Sequence, residues 1–210
     1  HRRKYGEESS VYRVYVLGLK PREDKDVLIP WEWINAAAGR QVENTSLYRV
    51  VWGVDVARFG DDKSALAKRQ GNHLLSSVAT KSGLDTMEVA GWVQREYEDT
   101  DETQRPSEIL VDVIGIGAGV VDRLRENGLP VRGINVGEAA ATRNQYRRFR
   151  DELWWRAREW FQNRACKIPD WDRRDQEHPM QLLVDELSAL KYKTGSDGKI
   201  DAESKPDFKK

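Results

Sequence analysis

Two apolar runs in this chain each end on an aspartate: Val50-Val51-Trp52-Gly53-Val54-Asp55 and Ile109-Leu110-Val111-Asp112. Both are the length of a buried strand, and both lead into glycine-containing turns, Gly60-Asp61-Asp62 and Gly115-Ile116-Gly117-Ala118-Gly119. An ionised carboxylate at the end of a buried strand loses hydration and needs a cation or donors to offset the loss. Two such acids in one chain therefore predict a shared cation, and with it the seat of the chemistry.

The nature of that cation follows from what the chain lacks. Cys166 is the only cysteine, and the histidines, His1, His73 and His178, are widely separated. Neither an intrachain disulfide nor a cysteine-based zinc cluster is possible, which fits a reducing compartment. A metal would be held by oxygen ligands, which points to Mg²⁺ or Mn²⁺. The N-terminus has no signal-like apolar stretch, and no run approaches the ~20 residues of a membrane span. These features predict a soluble intracellular chain without a membrane partner.

The elements have a regular order. A strand over about 49–56 is followed by a second over 64–69. Gly71-Asn72 then makes a two-residue hairpin turn into a third strand reaching about Thr80, which completes an antiparallel meander. Asp85-Thr86-Met87-Glu88 has capping-box spacing, and Val89, Ala90, Val93 and Tyr97 recur at helical intervals up to Glu98. A fourth strand, 108–114, shows no alternation, as expected for a strand covered on both faces. A short helix over 119–127, a fifth strand over 131–136 and a long helix carrying Tyr146, Phe149, Leu153, Ala157 and Trp160 follow.

Beyond these, residues 179–190 read as a helix, and 190–202 as a β-hairpin whose tip is Gly195-Ser196-Asp197-Gly198-Lys199. Residues 1–47 read as a linker or the tail of an upstream domain, with a strand-like run Val11 to Leu17, a charged loop around Pro21 to Asp24, and a short helix from Trp31 to near Gly39. The domain boundaries are thus 1–47 and 48–210.

This order is the ribonuclease H-like arrangement: an α/β fold with a mixed five-stranded sheet flanked by helices, here with an added C-terminal helix and β-hairpin. In it the fourth strand pairs in parallel with the first. Neighbouring strands lie ~4.8 Å apart, so acids at matching depths on the two can share one or two divalent ions. Two such ions suit an in-line displacement at phosphorus. The chemistry expected is phosphodiester hydrolysis.

The segment Trp52-Gly53-Val54-Asp55-Val56-Ala57-Arg58-Phe59-Gly60-Asp61-Asp62-Lys63-Ser64 resembles the first nuclease motif of tailed-bacteriophage large terminase subunits. Val111-Asp112 through Gly119 to Asp122 resembles the second, and Asp185-Glu186-Leu187 through Lys191-Tyr192 to Glu203-Ser204-Lys205 resembles the stretch before the last. The likeness spans about Tyr48 to Lys210.

The resemblance implies that Asp55 and Asp112 are metal-binding catalytic acids, that Asp62 assists nearby, and that Lys205 lies close to the active site. It also implies a third acid in a Ser-Pro-Asp segment, expected beyond Lys210, since Pro206-Asp207 comes too soon after Ser204-Lys205. Its further implications are double-stranded DNA as substrate, an upstream ATPase domain, a portal and a small terminase subunit as partners, and the host cytoplasm as location. No G-x-x-x-x-G-K-[ST] occurs, so ATP hydrolysis is not expected of this chain.

Charge is balanced, 35 basic against 35 acidic residues, so any DNA contact must come from local clustering. Seven arginines between Arg143 and Arg164 face three acids, Asp151, Glu152 and Glu159, on what reads as one helix. That surface is either a solvated face or one turned to phosphate. The DNA-contact candidates are Arg58, Arg143, Arg147 and Lys205.

Asp55 and Asp112 can also serve as turn caps, and Asp62 as ordinary turn chemistry. Asp151, Glu152, Asp185 and Glu186 read as exposed helical carboxylates. Gly115, Gly117 and Gly119 have G-x-G-x-G spacing, not the G-x-G-x-x-G of a dinucleotide loop, and can equally keep side chains off a DNA backbone. A resolvase- or transposase-type nuclease, or a non-catalytic docking module, competes with the terminase reading.

Overall fold

A computed structural model describes residues 26–42, 45–57 and 62–203. The strand and loop expected within 1–25 lie outside the described residues, as do Arg58 and Lys205. In chain order the helices are α1 (Trp31–Ala37), α2 (Thr86–Glu98), α3 (Gly117–Glu126), α4 (Phe149–Gln162) and α5 (Pro179–Ala189). The strands are β1 (Val50–Asp55), β2 (Lys63–Gln70), β3 (His73–Leu74), β4 (Ala79–Ser82), β5 (Glu108–Asp112), β6 (Val131–Ile134), β7 (Tyr192–Thr194) and β8 (Ile200–Ala202).

The described residues divide into two compact units, one built from Gln41–Val136 with Lys167–Pro169. Its mixed sheet is six-stranded, ordered β3-β2-β1-β5-β6 with β4 also on β2. The expected third strand is split into β3 and β4, each antiparallel to β2. Gly71 makes the turn before β3 at φ +54, and a Cβ there would meet the Tyr48 ring at 2.7 Å, so conformation and space both require glycine. β5 runs parallel to β1 and to β6.

One face of the sheet carries the core. Val50, Trp52 and Val54 of β1 and Ile109 and Val111 of β5 pack with Val89, Ala90, Trp92 and Val93 of α2 and Val120, Val121 and Leu124 of α3. Burying each Val, Leu or Ile contributes about 1.5–3 kcal/mol relative to exposure. Helix α2 begins in the expected capping box: Asp85 accepts from the Glu88 amide and Glu88 from the Asp85 amide, both at 2.8 Å. β5 does alternate in burial and stops at Asp112, which corrects the expectation of a strand to 114 covered equally on both faces.

The second unit contains α1, α4, α5 and the β7–β8 hairpin. Helix α4 spans Phe149–Gln162, so Arg143, Arg147 and Arg148 precede it and Arg164 follows it, rather than all seven arginines lying on one helix. Most arginines here make internal contacts. Arg150 donates to the carbonyls of Ala202 and Glu203. Arg158 donates to those of Val27 and Leu28, with Trp33, Trp155 and Tyr192 around its guanidinium. Leu153, expected in the buried stripe, is 41% exposed.

Three acids expected on the surface are buried. Asp151 and Asp185 are each 1% exposed and Glu152 is 5% exposed, whereas Glu186 is exposed as expected. Each buried carboxylate has donors. Asp151 accepts from the amides of Arg148 (3.0 Å) and Ala202 (3.2 Å), fastening α4 to β8. Glu152 accepts from the Thr142 amide, and Asp185 from the Gln181 amide side chain, whose oxygen in turn accepts from Trp171. Helical spacing alone does not reveal donors that arrive from distant loops and strands.

Candidate metal centre

Register brings the two strand-end acids together. Val54 of β1 pairs with Val111 of β5, and Asp55 and Asp112 each follow by one residue. Alternation turns Trp52, Val54, Ile109 and Val111 to the core and the two acids to the other face. They stand side by side at the carboxyl ends of parallel strands, where open α/β sheets bind ligands. Asp55 is exposed and Asp112 half-buried.

Backbone contacts fix both ends. An Asp112 side-chain oxygen accepts from the Ile114 amide at 3.0 Å. On the β1 side, the buried hydroxyl of Ser64 accepts from the Ala57 amide at 3.1 Å and tethers the chain two residues past Asp55. Asp62 is exposed immediately before β2, three residues from Ala65, the partner of Asp55. Among the described residues no group of three or more His, Cys, Asp or Glu side chains is poised to hold a metal. Two hard carboxylates nonetheless fit a Mg²⁺-like cation, which keeps several waters and commonly binds through one or two carboxylates plus substrate phosphate.

No family model and no curated protein matches the sequence. Solved structures do. The nuclease domain of the large terminase subunit gp2 of bacterial virus Sf6 superposes with a TM-score of 0.67 at 19% identity, covering 87% of this chain and 90% of that one. A variant of that domain, solved with manganese and beta-thujaplicinol, gives 0.68 at 17% identity over the same shares. The large terminase from a thermophilic bacteriophage gives 0.58 at 12% identity, covering 99% of this chain and 47% of that one. The chain has the fold of a large-terminase nuclease domain.

Within this terminase nuclease fold, two groups that sequence reasoning missed support the acids. Ser64 lies in the first motif, but its burial on β2 gives it its tethering role. Gly117 is the other: α3 starts so close to β5 that a Cβ there would stand 1.8 Å from the Asp112 carbonyl oxygen. Its lack of a side chain serves packing against the acid's own backbone. At Gly119 a Cβ would meet nothing within 4 Å.

The arginine candidates lie in the other unit. Arg143 is exposed in the segment before α4. Arg147, also exposed, pairs with Asp197 at 3.2 Å and reaches Asp201 at 4.0 Å. No helix among the described residues is long and apolar enough to cross a membrane.

Proposed function

We propose that this chain is a divalent-metal-dependent endonuclease domain that cuts double-stranded DNA during phage genome packaging, with little sequence specificity. The carrying observation is the placement of Asp55 and Asp112 at equal depth, on one face, at the carboxyl ends of adjacent parallel strands. The fold shared with the Sf6 domain, one form of which was solved with manganese and another with calcium, supports the reading.

In this proposal Asp55 and Asp112 hold Mg²⁺ or Mn²⁺, as two ions when substrate is bound, and Asp62 assists at the rim. The bound ions supply Lewis-acid stabilisation of the phosphodiester and a nucleophilic water at neutral pH. Ser64 and the Ile114 amide keep the two carboxylates in register. Arg58, Arg143, Arg147 and Lys205 contact phosphates, which carry position but not sequence. Residues 48–210 belong to the nuclease domain, whose third acid is expected beyond Lys210, and 1–47 is a linker or the tail of an upstream ATPase motor. Portal and small terminase subunit are its partners, in the host cytoplasm.

Mn²⁺ binding by calorimetry and nicking of supercoiled plasmid test this together in the wild type, Asp55→Asn and Asp112→Asn. Expected are Mn²⁺ binding by the wild type and, with the chain extended past Lys210 to include the third acid, Mn²⁺-dependent nicking that falls steeply with salt, with loss of both in each variant. Wild-type cutting by Asp55→Asn would remove that residue from the chemistry. Preferential cutting of junctions or hybrids over linear duplex would favour a resolvase-type enzyme.

A further inference from the structure

From Val113 to Val121 the chain carries no polar side chain; Gly115, Ala118 and Gly119 are exposed, but the larger side chains mostly turn inward. Gly117, Val120 and Val121 are buried, and Val113 and Ile116 pack against the core. Ile114 does not: it is 52% exposed. A solitary exposed aliphatic is ordinary on a protein surface. This one is held in place beside a candidate catalytic acid, because its own amide donates to the Asp112 carboxylate at 3.0 Å. Its β-branched side chain is stiff at χ1, so little rotamer freedom is lost on contact.

A phosphodiester brought to Asp112 carries its deoxyriboses and base edges past this position. With no charged or polar side chain between 113 and 121, the segment offers a duplex apolar contact in place of a salt bridge. Aliphatic side chains pack on, and insert at, the minor-groove edge of base steps in many DNA complexes. We propose that Ile114 is a substrate-contacting residue that packs on the deoxyribose and minor-groove base edge next to the scissile phosphate. The assignment rests on the nuclease reading of Asp55 and Asp112 and adds how the duplex is seated there.

The test uses the full 210-residue chain, with Ile114→Ala, Ile114→Ser and Ile114→Val. Leu47→Ser serves as control, since it removes a residue 81% exposed elsewhere on the same unit. Duplex affinity is read by fluorescence anisotropy in Ca²⁺, Mn²⁺ affinity by calorimetry without DNA, and cutting by steady-state kinetics in Mn²⁺. Ile114→Ser and Ile114→Ala should weaken duplex binding and raise KM about tenfold, the scale expected for losing one buried aliphatic contact. Mn²⁺ affinity and melting temperature should stay at wild-type values, Ile114→Val should restore most of the loss, and Leu47→Ser should change nothing. Wild-type cutting with unchanged duplex affinity and KM in Ile114→Ser would overturn the Ile114 assignment alone. A wild-type chain that binds neither Mn²⁺ nor duplex would overturn the nuclease reading and this assignment together.

Discussion

Gly117 abuts Asp112 so closely that a Cβ on it would lie 1.8 Å from the Asp112 carbonyl oxygen and 2.9 Å from the carbonyl carbon. Both obstructing atoms are backbone, so a side chain at 117 must push α3 away from β5. Gly117→Ala is expected to destabilise the chain by about 1–3 kcal/mol, the usual range for overpacking, and to weaken Mn²⁺ binding by displacing Asp112. Gly119→Ala, with open space around it, should do neither. Thermal melts and Mn²⁺ calorimetry on the pair decide, and wild-type behaviour of Gly117→Ala would sink the assignment.

Ser64→Ala removes the acceptor of the Ala57 amide while leaving β2 paired with β1. The expected loss is about 1 kcal/mol, with faster hydrogen exchange at Ala57 and looser Mn²⁺ binding at Asp55. Unaltered exchange at Ala57 would show that the tether is not what holds this turn.

Asp151 carries the junction of α4 and β8. Asp151→Ala strands the Arg148 and Ala202 amides and is expected to cost about 1.5–3 kcal/mol, as for hydrogen bonds to a charged acceptor. Chemical denaturation measures it, and a variant within 0.5 kcal/mol of wild type, roughly the scatter of a neutral surface change, would remove Asp151 from that role.

Glu152 supplies a pH dependence. Burial opposes its charge, but hydrogen bonds from the Thr142 and Ala141 amides and the Arg156 guanidinium outweigh this and hold its pKa below the ordinary 4.5. Its contribution is therefore complete above about pH 4.5 and disappears as pH falls through the lowered folded-state value. Glu152→Gln should melt below wild type at pH 7 and converge with it in acid. A gap that stays constant across that range would contradict the linkage.

Cys166 is fully buried, and burial pushes its thiol pKa up, with the Arg40 guanidinium acting in the opposite direction. Disulfide-exchange reagents should label it slowly in the native chain and promptly after unfolding. Rapid native labelling would mean that the segment around it opens locally.

Much of this structure can be read from local pattern. The Gly71-Asn72 turn, the Asp85–Glu88 capping box and the strand-end positions of Asp55 and Asp112 all depend on geometry within a few residues. Local pattern fails where contacts outside the pattern decide burial. Asp151, Glu152 and Asp185 have the helical spacing of surface acids, yet Asp151 meets Ala202, 51 positions away, and Glu152 meets Thr142, from the loop before its helix. Leu153 fits a buried stripe by periodicity and is exposed because packing selects the face containing Asp151, Glu152 and Phe161.

By itself the sequence determined most of the described elements and that two acids end strands, because alternation, helical period, capping and turn chemistry act between near neighbours. Only the tertiary structure decided that Asp55 and Asp112 share a face at equal depth, that Gly117 must lack a side chain, and that three apparent surface acids hold the second unit's interior. Parallel pairing joins residues 57 positions apart, and a carboxylate is stable in the interior only where donors, some of them from distant backbone, arrive to solvate it.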